Sequence, residues 1–172
     1  DCVPVLDVGT PQTHAAIGNR AYAEDATLVS ILGRATADGL AAGGVLPVMK
    51  HMPGHGRATV DSHLSLPVVE ASLRTLEASD FVPFKALIDL PMAMTAHIVF
   101  TAVDAERPAT TSKIVVDEII RGKIGFDGLL MSDDLSMKAL GGDYASRAAA
   151  VLSAGCDMVL HCNGVMEEMA DV

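Results

Sequence analysis

The densest chemistry in the sequence is Lys50-His51-Met52-Pro53-Gly54-His55-Gly56, followed closely by Asp61-Ser62-His63. Three imidazoles, an ammonium and a carboxylate so close together are too polar for a core and oddly composed for a plain solvated loop. Gly54 and Gly56 permit the backbone turns of a loop folded over a pocket. In Asp61-Ser62-His63 the two ionisable groups stand two residues apart. On an extended or turning backbone the carboxylate can reach the imidazole, fix its tautomer and raise its basicity, which makes a proton-transfer unit. A surface His beside an Asp has the same spacing, so both meanings stay open here.

A rival reading makes His51, His55, Asp61 and His63 ligands of zinc or a similar ion. The His51-x3-His55 spacing suits one face of a helix, but Pro53 and two glycines break that helix. Gly54-His55-Gly56 also lacks the Lys-Ser/Thr ending of a phosphate-binding loop. Further polar groups sit where a strand ends: Asp7, His97 and Ser132-Asp133-Asp134. A lone Asp in such a place is also an ordinary helix N-cap, an alternative that stands for Asp7 and Asp134. Lys50 and His51 likewise read as a salt-bridged strand end.

The elements that must position these groups alternate. Short β-rich runs occur at Val3 to Val8, Val45 to His51, Met92 to Phe100, Leu129 to Leu135 and Met158 to Cys162. Helical patterns lie between them: Asp25 to Ala42 before Gly43-Gly44, Glu70 to Ala78, Asp80 to Ile88 with Pro83 in its first turn, Ile114 to Arg121 after a Ser112 cap and before Gly122, and Tyr144 to Ala154 before Gly155. Such alternation indicates βαβ units and a parallel sheet, whose C-terminal strand ends are where active sites collect. The fold class expected is α/β, with no internal domain boundary.

The 172 residues carry 12 Lys+Arg against 22 Asp+Glu, a formal charge of −10. No basic stripe is present for a phosphate backbone, so nucleic acid is not expected as a partner. Half the residues are hydrophobic, yet no uncharged stretch approaches the ~20 apolar residues of a membrane span, and no membrane partner is expected. Three cysteines without framework spacing fit a reducing, cytoplasmic location, and the opening Asp1-Cys2-Val3-Pro4 has no signal-peptide character. Those first residues already read as a strand, so the chain is expected to be an internal piece of a longer protein. There is no Trp and aromatic residues make up 3%, which argues against stacking platforms for long polysaccharides.

Four blocks, KHMPGHG, VDSHLSLPVV, MTAHIVF and GFDGLLMSDDLSMKAL, together resemble the β-N-acetylglucosaminidases of glycoside hydrolase family 3, in the family's order and over nearly the whole chain. The resemblance implies a (β/α)8 TIM barrel, of which residues 1–172 would supply about five βα units, the third to the seventh, without the opening strands and the last. It implies removal of terminal, non-reducing β-linked N-acetylglucosamine with retention of configuration, on muropeptides of bacterial cell-wall recycling, with a small carbohydrate substrate and no cofactor or metal. By the same resemblance Asp133 is the nucleophile, His63 the general acid/base with Asp61 as its partner, and Lys50, His51 and Arg20 (in IGNRAY) hold the sugar. A β-glucosidase-like hydrolase, a phosphorylase of the same family, and an inactive carbohydrate-binding relative are the alternatives.

Overall fold

A computed structural model describes residues 2–172. Its centre is a parallel sheet of β1 (Val48–Met52), β3 (Met92–Thr95), β5 (Leu129–Asp134) and β6 (Met158–Leu160), in that spatial order. β2 (Val68–Val69) and β4 (Val99–Phe100) form a separate parallel pair. The helices are α1 (Ala26–Ala42), α2 (Leu73–Ala78), α3 (Val82–Ala86), a π-helix over Val115–Ile124, α4 (Tyr144–Ala154) and α5 (Met166–Asp171). Neighbouring strands of the main sheet follow chain order with helices between them, the arc of a (β/α) barrel; the barrel is not closed within this chain.

Strand pleating decides which residues can meet a substrate. Val48, Met92 and Leu129 stand in register, as do Met49, Ala93 and Leu130 one step on. Because successive side chains point to opposite faces, Val48, Met94 and Met131 form one small apolar cluster, with Leu160 packed against it. Met49, Ala93 and Leu130 fall in the larger core beneath the helices. Lys50 continues the first row and so does Asp133, two residues beyond Met131. Both faces are covered, which is why these strands read as unbroken apolar runs.

The helices follow their local signals. Asp25 caps α1 by accepting the Leu28 N–H at 2.8 Å, and Asp143 caps α4 through the Ser146 N–H at 2.8 Å. α1 buries Val29, Gly33 and Ala37 at a spacing of four; Gly33 lies against Leu6, where a Cβ would come within 2.3 Å of the Leu6 side chain. Pro83 sits in the first turn of α3, as its missing N–H favours.

Among the boundaries that differ from expectation, four have a local physical reason. The Val3–Val8 run is one bridge, Val5 to Lys50, with backbone bonds from Leu6 N to Lys50 O (2.6 Å) and from Lys50 N to Pro4 O (3.0 Å); Pro4 has no N–H to lengthen a ladder. The Met92–Phe100 run divides. After Thr95 the Ala96 N–H turns to Met52 O at 2.8 Å, and Val99–Phe100 pairs instead with Val68–Val69. Ser112 does cap the next helix, through the Val115 N–H, but that helix passes Gly122 and buries Ile124 before closing at Gly125. Gly125 takes φ +85°, and its N–H returns to Ile120 O, five residues back, which is the winding of a π-helix. The helix expected from Glu70 starts at Leu73, where Ser72 accepts the Thr75 N–H.

Candidate active site

At the C-terminal ends of β1, β3, β5 and β6 lies a cavity of about 390 Å³. Lys50, His51, His55, Ser62, His63, Arg20 and Asp133 line its polar side, and Met94, Met137 and Leu160 contribute apolar floor. Five of the six residues that the family resemblance assigns to the site therefore face one space. The sixth, Asp61, stands behind His63.

The wall begins at Asp7, a fully buried carboxylate. Its Oδ2 lies 2.7 Å from His51 Nδ1, while Oδ1 accepts the backbone N–H groups of His51 (3.1 Å) and His55 (2.7 Å). Burial pushes the Asp7 carboxyl up, but the two histidines outweigh it and hold it below the ordinary value. Since a carboxylate can only accept, His51 carries its proton on Nδ1 and leaves Nε2 as the other ring atom. Asp7 caps no helix. It was visible as a polar residue at a strand end, but its role as a clamp on two histidines depends on a contact across more than forty residues of chain.

Lys50 forms no salt bridge among the described residues, so the salt-bridged strand end holds for His51 alone. Arg20 ends a 3-10 turn at Gly18–Arg20, and its guanidinium rests on Ala16 O at 2.6 and 3.2 Å. That contact leaves further N–H groups of the fork for an acceptor in the cavity.

His63 and Asp61 pair as their spacing suggested. Asp61 Oδ1 takes both the His63 N–H and His63 Nδ1, each at 2.9 Å, and the backbone N–H is the main reason the Asp61 carboxyl sits below its usual range. The His63 side chain is 59% exposed, and with Nδ1 engaged by Asp61 the other ring nitrogen, Nε2, is the atom available to a proton-transfer partner. Asp133 is different: it is 6% exposed, and its Oδ1 accepts only the adjacent Asp134 N–H at 2.8 Å.

Asp134 is held by three donors. It accepts Ser136 N–H (3.0 Å), the Ser136 hydroxyl and Cys162 N–H (3.1 Å), so it locks the turn after β5 to the end of β6. Burial pushes its carboxyl up, yet these donors bring it below the ordinary value. Ser132, facing away from the cavity, accepts Leu160 N–H at 3.0 Å and ties the same two strands. The serine and the second aspartate thus set the frame in which Asp133 is left with a single hydrogen bond.

Beneath the frame lies His97, fully buried, with Nε2 3.0 Å from Asp134 O and Nδ1 2.7 Å from Thr110 Oγ1. The carbonyl requires a hydrogen on Nε2, and burial holds the imidazole below its ordinary value; Thr110 Oγ1, which lies beside Nδ1, donates to Ala96 O at 2.9 Å and accepts from Thr95 Oγ1 at 2.9 Å. Thr110 carried no sequence signal. Among the described residues no three His, Cys, Asp or Glu side chains cluster as a cation's ligand set; the imidazoles of the alternative metal reading are engaged by Asp7, Ser62 and Asp61 instead.

The geometry has counterparts in known proteins. A beta-hexosaminidase of Chromobacterium violaceum is 46% identical over 164 residues, covering 93% of this chain and 45% of that protein. The structure of a glycoside hydrolase family 3 beta-N-acetylglucosaminidase from a Paenibacillus species superimposes with a TM-score of 0.94 at 33% identity, over 99% of this chain and 33% of that one. NagZ from Neisseria gonorrhoeae, in complex with N-trifluoroacetyl-D-glucosamine, matches with a TM-score of 0.86 at 42% identity over 95% of this chain and 47% of its own. The chain spans about half the length of the curated relatives it matches. The model of the glycosyl hydrolase family 3 N-terminal domain matches residues 1–172, and the chain with its Asp133-centred cavity belongs to that family.

Proposed function

We propose that the full-length protein is a retaining, exo-acting β-N-acetylglucosaminidase. The observation that carries this reading is the sharing of one cavity by a buried carboxylate with few partners, Asp133, and an exposed imidazole backed by a carboxylate, His63 with Asp61. Retaining hydrolysis needs a nucleophile on one side of the anomeric carbon and a proton donor at the leaving oxygen. Asp133 attacks the anomeric carbon and forms a glycosyl ester as protonated His63 gives its Nε2 proton to the departing oxygen. His63 then takes a proton from water, whose oxygen attacks the same carbon and releases Asp133. Asp61 holds the tautomer and stabilises the imidazolium through Nδ1. Lys50, Arg20 and the Asp7-anchored His51 hold the sugar hydroxyls by charge-assisted hydrogen bonds.

The cavity volume and the scarcity of aromatic residues fit one terminal sugar better than a long chain. Two comparisons name β-N-acetylglucosaminidase or beta-hexosaminidase, which supports N-acetylglucosamine as that sugar. The resemblance to enzymes of bacterial cell-wall recycling supports peptidoglycan-derived muropeptides as the source and the cytoplasm as the place. The test is turnover by the full-length protein of aryl β-glycosides of N-acetylglucosamine and of glucose, with and without phosphate. Preferential release of N-acetylglucosamine with net retention is expected. Preference for glucose overturns the sugar assignment, and formation of a sugar phosphate overturns hydrolysis in favour of phosphorolysis.

A further inference from the structure

The reaction uses His63 and its wall uses His51, yet a third imidazole, His55, is buried at 2% exposure between them. Its backbone N–H is held by Asp7 at 2.7 Å, and its ring meets the His51 ring edge-on with centroids 5.4 Å apart. Across the loop its Nε2 lies 3.3 Å from the hydroxyl of Ser62, itself 4% exposed and placed between Asp61 and His63 in the chain. The adjoining Gly56 is wedged onto the end of the first segment: a Cβ there would come within 1.8 Å of Val8 O. His55 is thus fixed to the rigid strand end on one side and touches the loop of the proton-transfer pair on the other.

We infer that His55 and Ser62 are positioning residues that seat the Asp61–His63 loop over the cavity, so that His63 Nε2 meets the leaving oxygen. This rests on the acid/base assignment proposed above. His63 is mostly exposed and its Nδ1 partner Asp61 lies in the same loop. The pair is tied outward by a long backbone bond, Lys138 N–H to His63 O at 3.4 Å, on the β5 side and by the His55–Ser62 contact on the β1 side. Loss of the hydroxyl leaves the chemistry of His63 intact but lets its loop wander, and a general acid displaced by about an ångström loses much of its effect.

The experiment measures kcat/KM of the full-length protein on two aryl β-N-acetylglucosaminides, one with a poor leaving group that needs protonation and one with a good leaving group that does not. Ser62→Ala is expected to slow the poor substrate about 10-fold and the good one less than about 2-fold, the size of one lost hydrogen bond expressed selectively. His55→Ala should do the same or more, and His55→Gln, which keeps a polar atom near the position of Nε2, should recover part of the rate. In a His63→Ala background Ser62→Ala should add nothing. Equal slowing of both substrates by Ser62→Ala, or full additivity with His63→Ala, overturns the positioning role alone. A His63→Ala variant that slows both substrates equally overturns the acid/base assignment, and the role of the pair with it.

Discussion

Asp7 Oδ2 lies 2.7 Å from His51 Nδ1, and solvent does not reach the carboxylate. One buried side chain thereby aims a cavity-lining imidazole and satisfies the backbone N–H groups of His51 and His55. Asp7→Ala strands three donors and is expected to lower stability by about 3 kcal/mol or more, since each buried donor left unpaired costs about 1–3 kcal/mol. Asp7→Asn keeps one acceptor and should be milder, while raising KM because His51 loses its fixed orientation. The native carboxyl lies below its ordinary 3.8. Its contribution is therefore complete above that value and disappears as pH falls through the lower native one. Urea unfolding of the full-length protein at pH 7 and at pH 3 should show this acid-linked loss in the wild type and less of it in Asp7→Asn.

Gly33 and Gly56 both sit where a side chain is denied space, but their neighbours differ in kind. At Gly33 the obstruction is the end of the Leu6 side chain, which can turn away; at Gly56 it is the Val8 backbone, which cannot. Gly56→Ala is expected to lower stability by about 3 kcal/mol or more, with Gly33→Ala closer to 1 kcal/mol. Denaturation midpoints of the two variants check the order, and a Gly56→Ala protein as stable as wild type would rule out the close packing of this loop.

His97 and His55 are both buried, and burial is the main reason both stay below the ordinary imidazole value of 6.5. Below that pH the unfolded chain takes up protons that the folded one refuses, so stability falls as the medium is acidified. Each histidine adds a slope approaching about 1.4 kcal/mol per pH unit until its native pKa is reached. Unfolding free energies at pH 7.0 and 5.5 should fall accordingly. His97→Gln should remove about one histidine's share of that slope while lowering stability at pH 7 by about 1–3 kcal/mol, because Asp134 O or Thr110 loses its partner.

Much of this arrangement is local, and the local part was legible. Ser112 caps the helix that follows it, Asp25 stands at the head of α1 where the helical pattern begins, and Asp61 reaches His63 two residues away. The choice of Asp133 over Asp134 rested on the family block, the preceding Ser132 and the position at a strand end. What escaped depends on distant partners. Asp7 was ambiguous because nothing near it in the chain announces His51, and His97 looked like part of one long strand because Val68–Val69, its neighbours' pairing partner, is only two residues long. The π-helix passed Gly122 because buried Ile124 extends its apolar face beyond the first glycine able to stop it.

Asp133 and Asp134 are neighbours of the same chemical type, and their hydrogen bonds separate them. Both line the cavity, but Asp134 holds three donors from Ser136 and Cys162, whereas Asp133 accepts one backbone N–H. A carboxylate with unspent lone pairs can become a nucleophile; one that holds three donors cannot leave them without loosening the fold. Asp133→Asn is therefore expected to reduce turnover by several orders of magnitude with sugar affinity and unfolding free energy nearly unchanged, since the amide keeps the shape but forms no glycosyl ester. Asp134→Asn should do the opposite, lowering stability by about 1–3 kcal/mol while retaining measurable turnover. A mechanism-based fluorosugar should label the full-length protein at Asp133, as read by peptide mapping. Label on Asp134, or near-normal turnover in Asp133→Asn, would reverse the assignment, because the residue that holds the frame and the residue that attacks cannot be exchanged within this geometry.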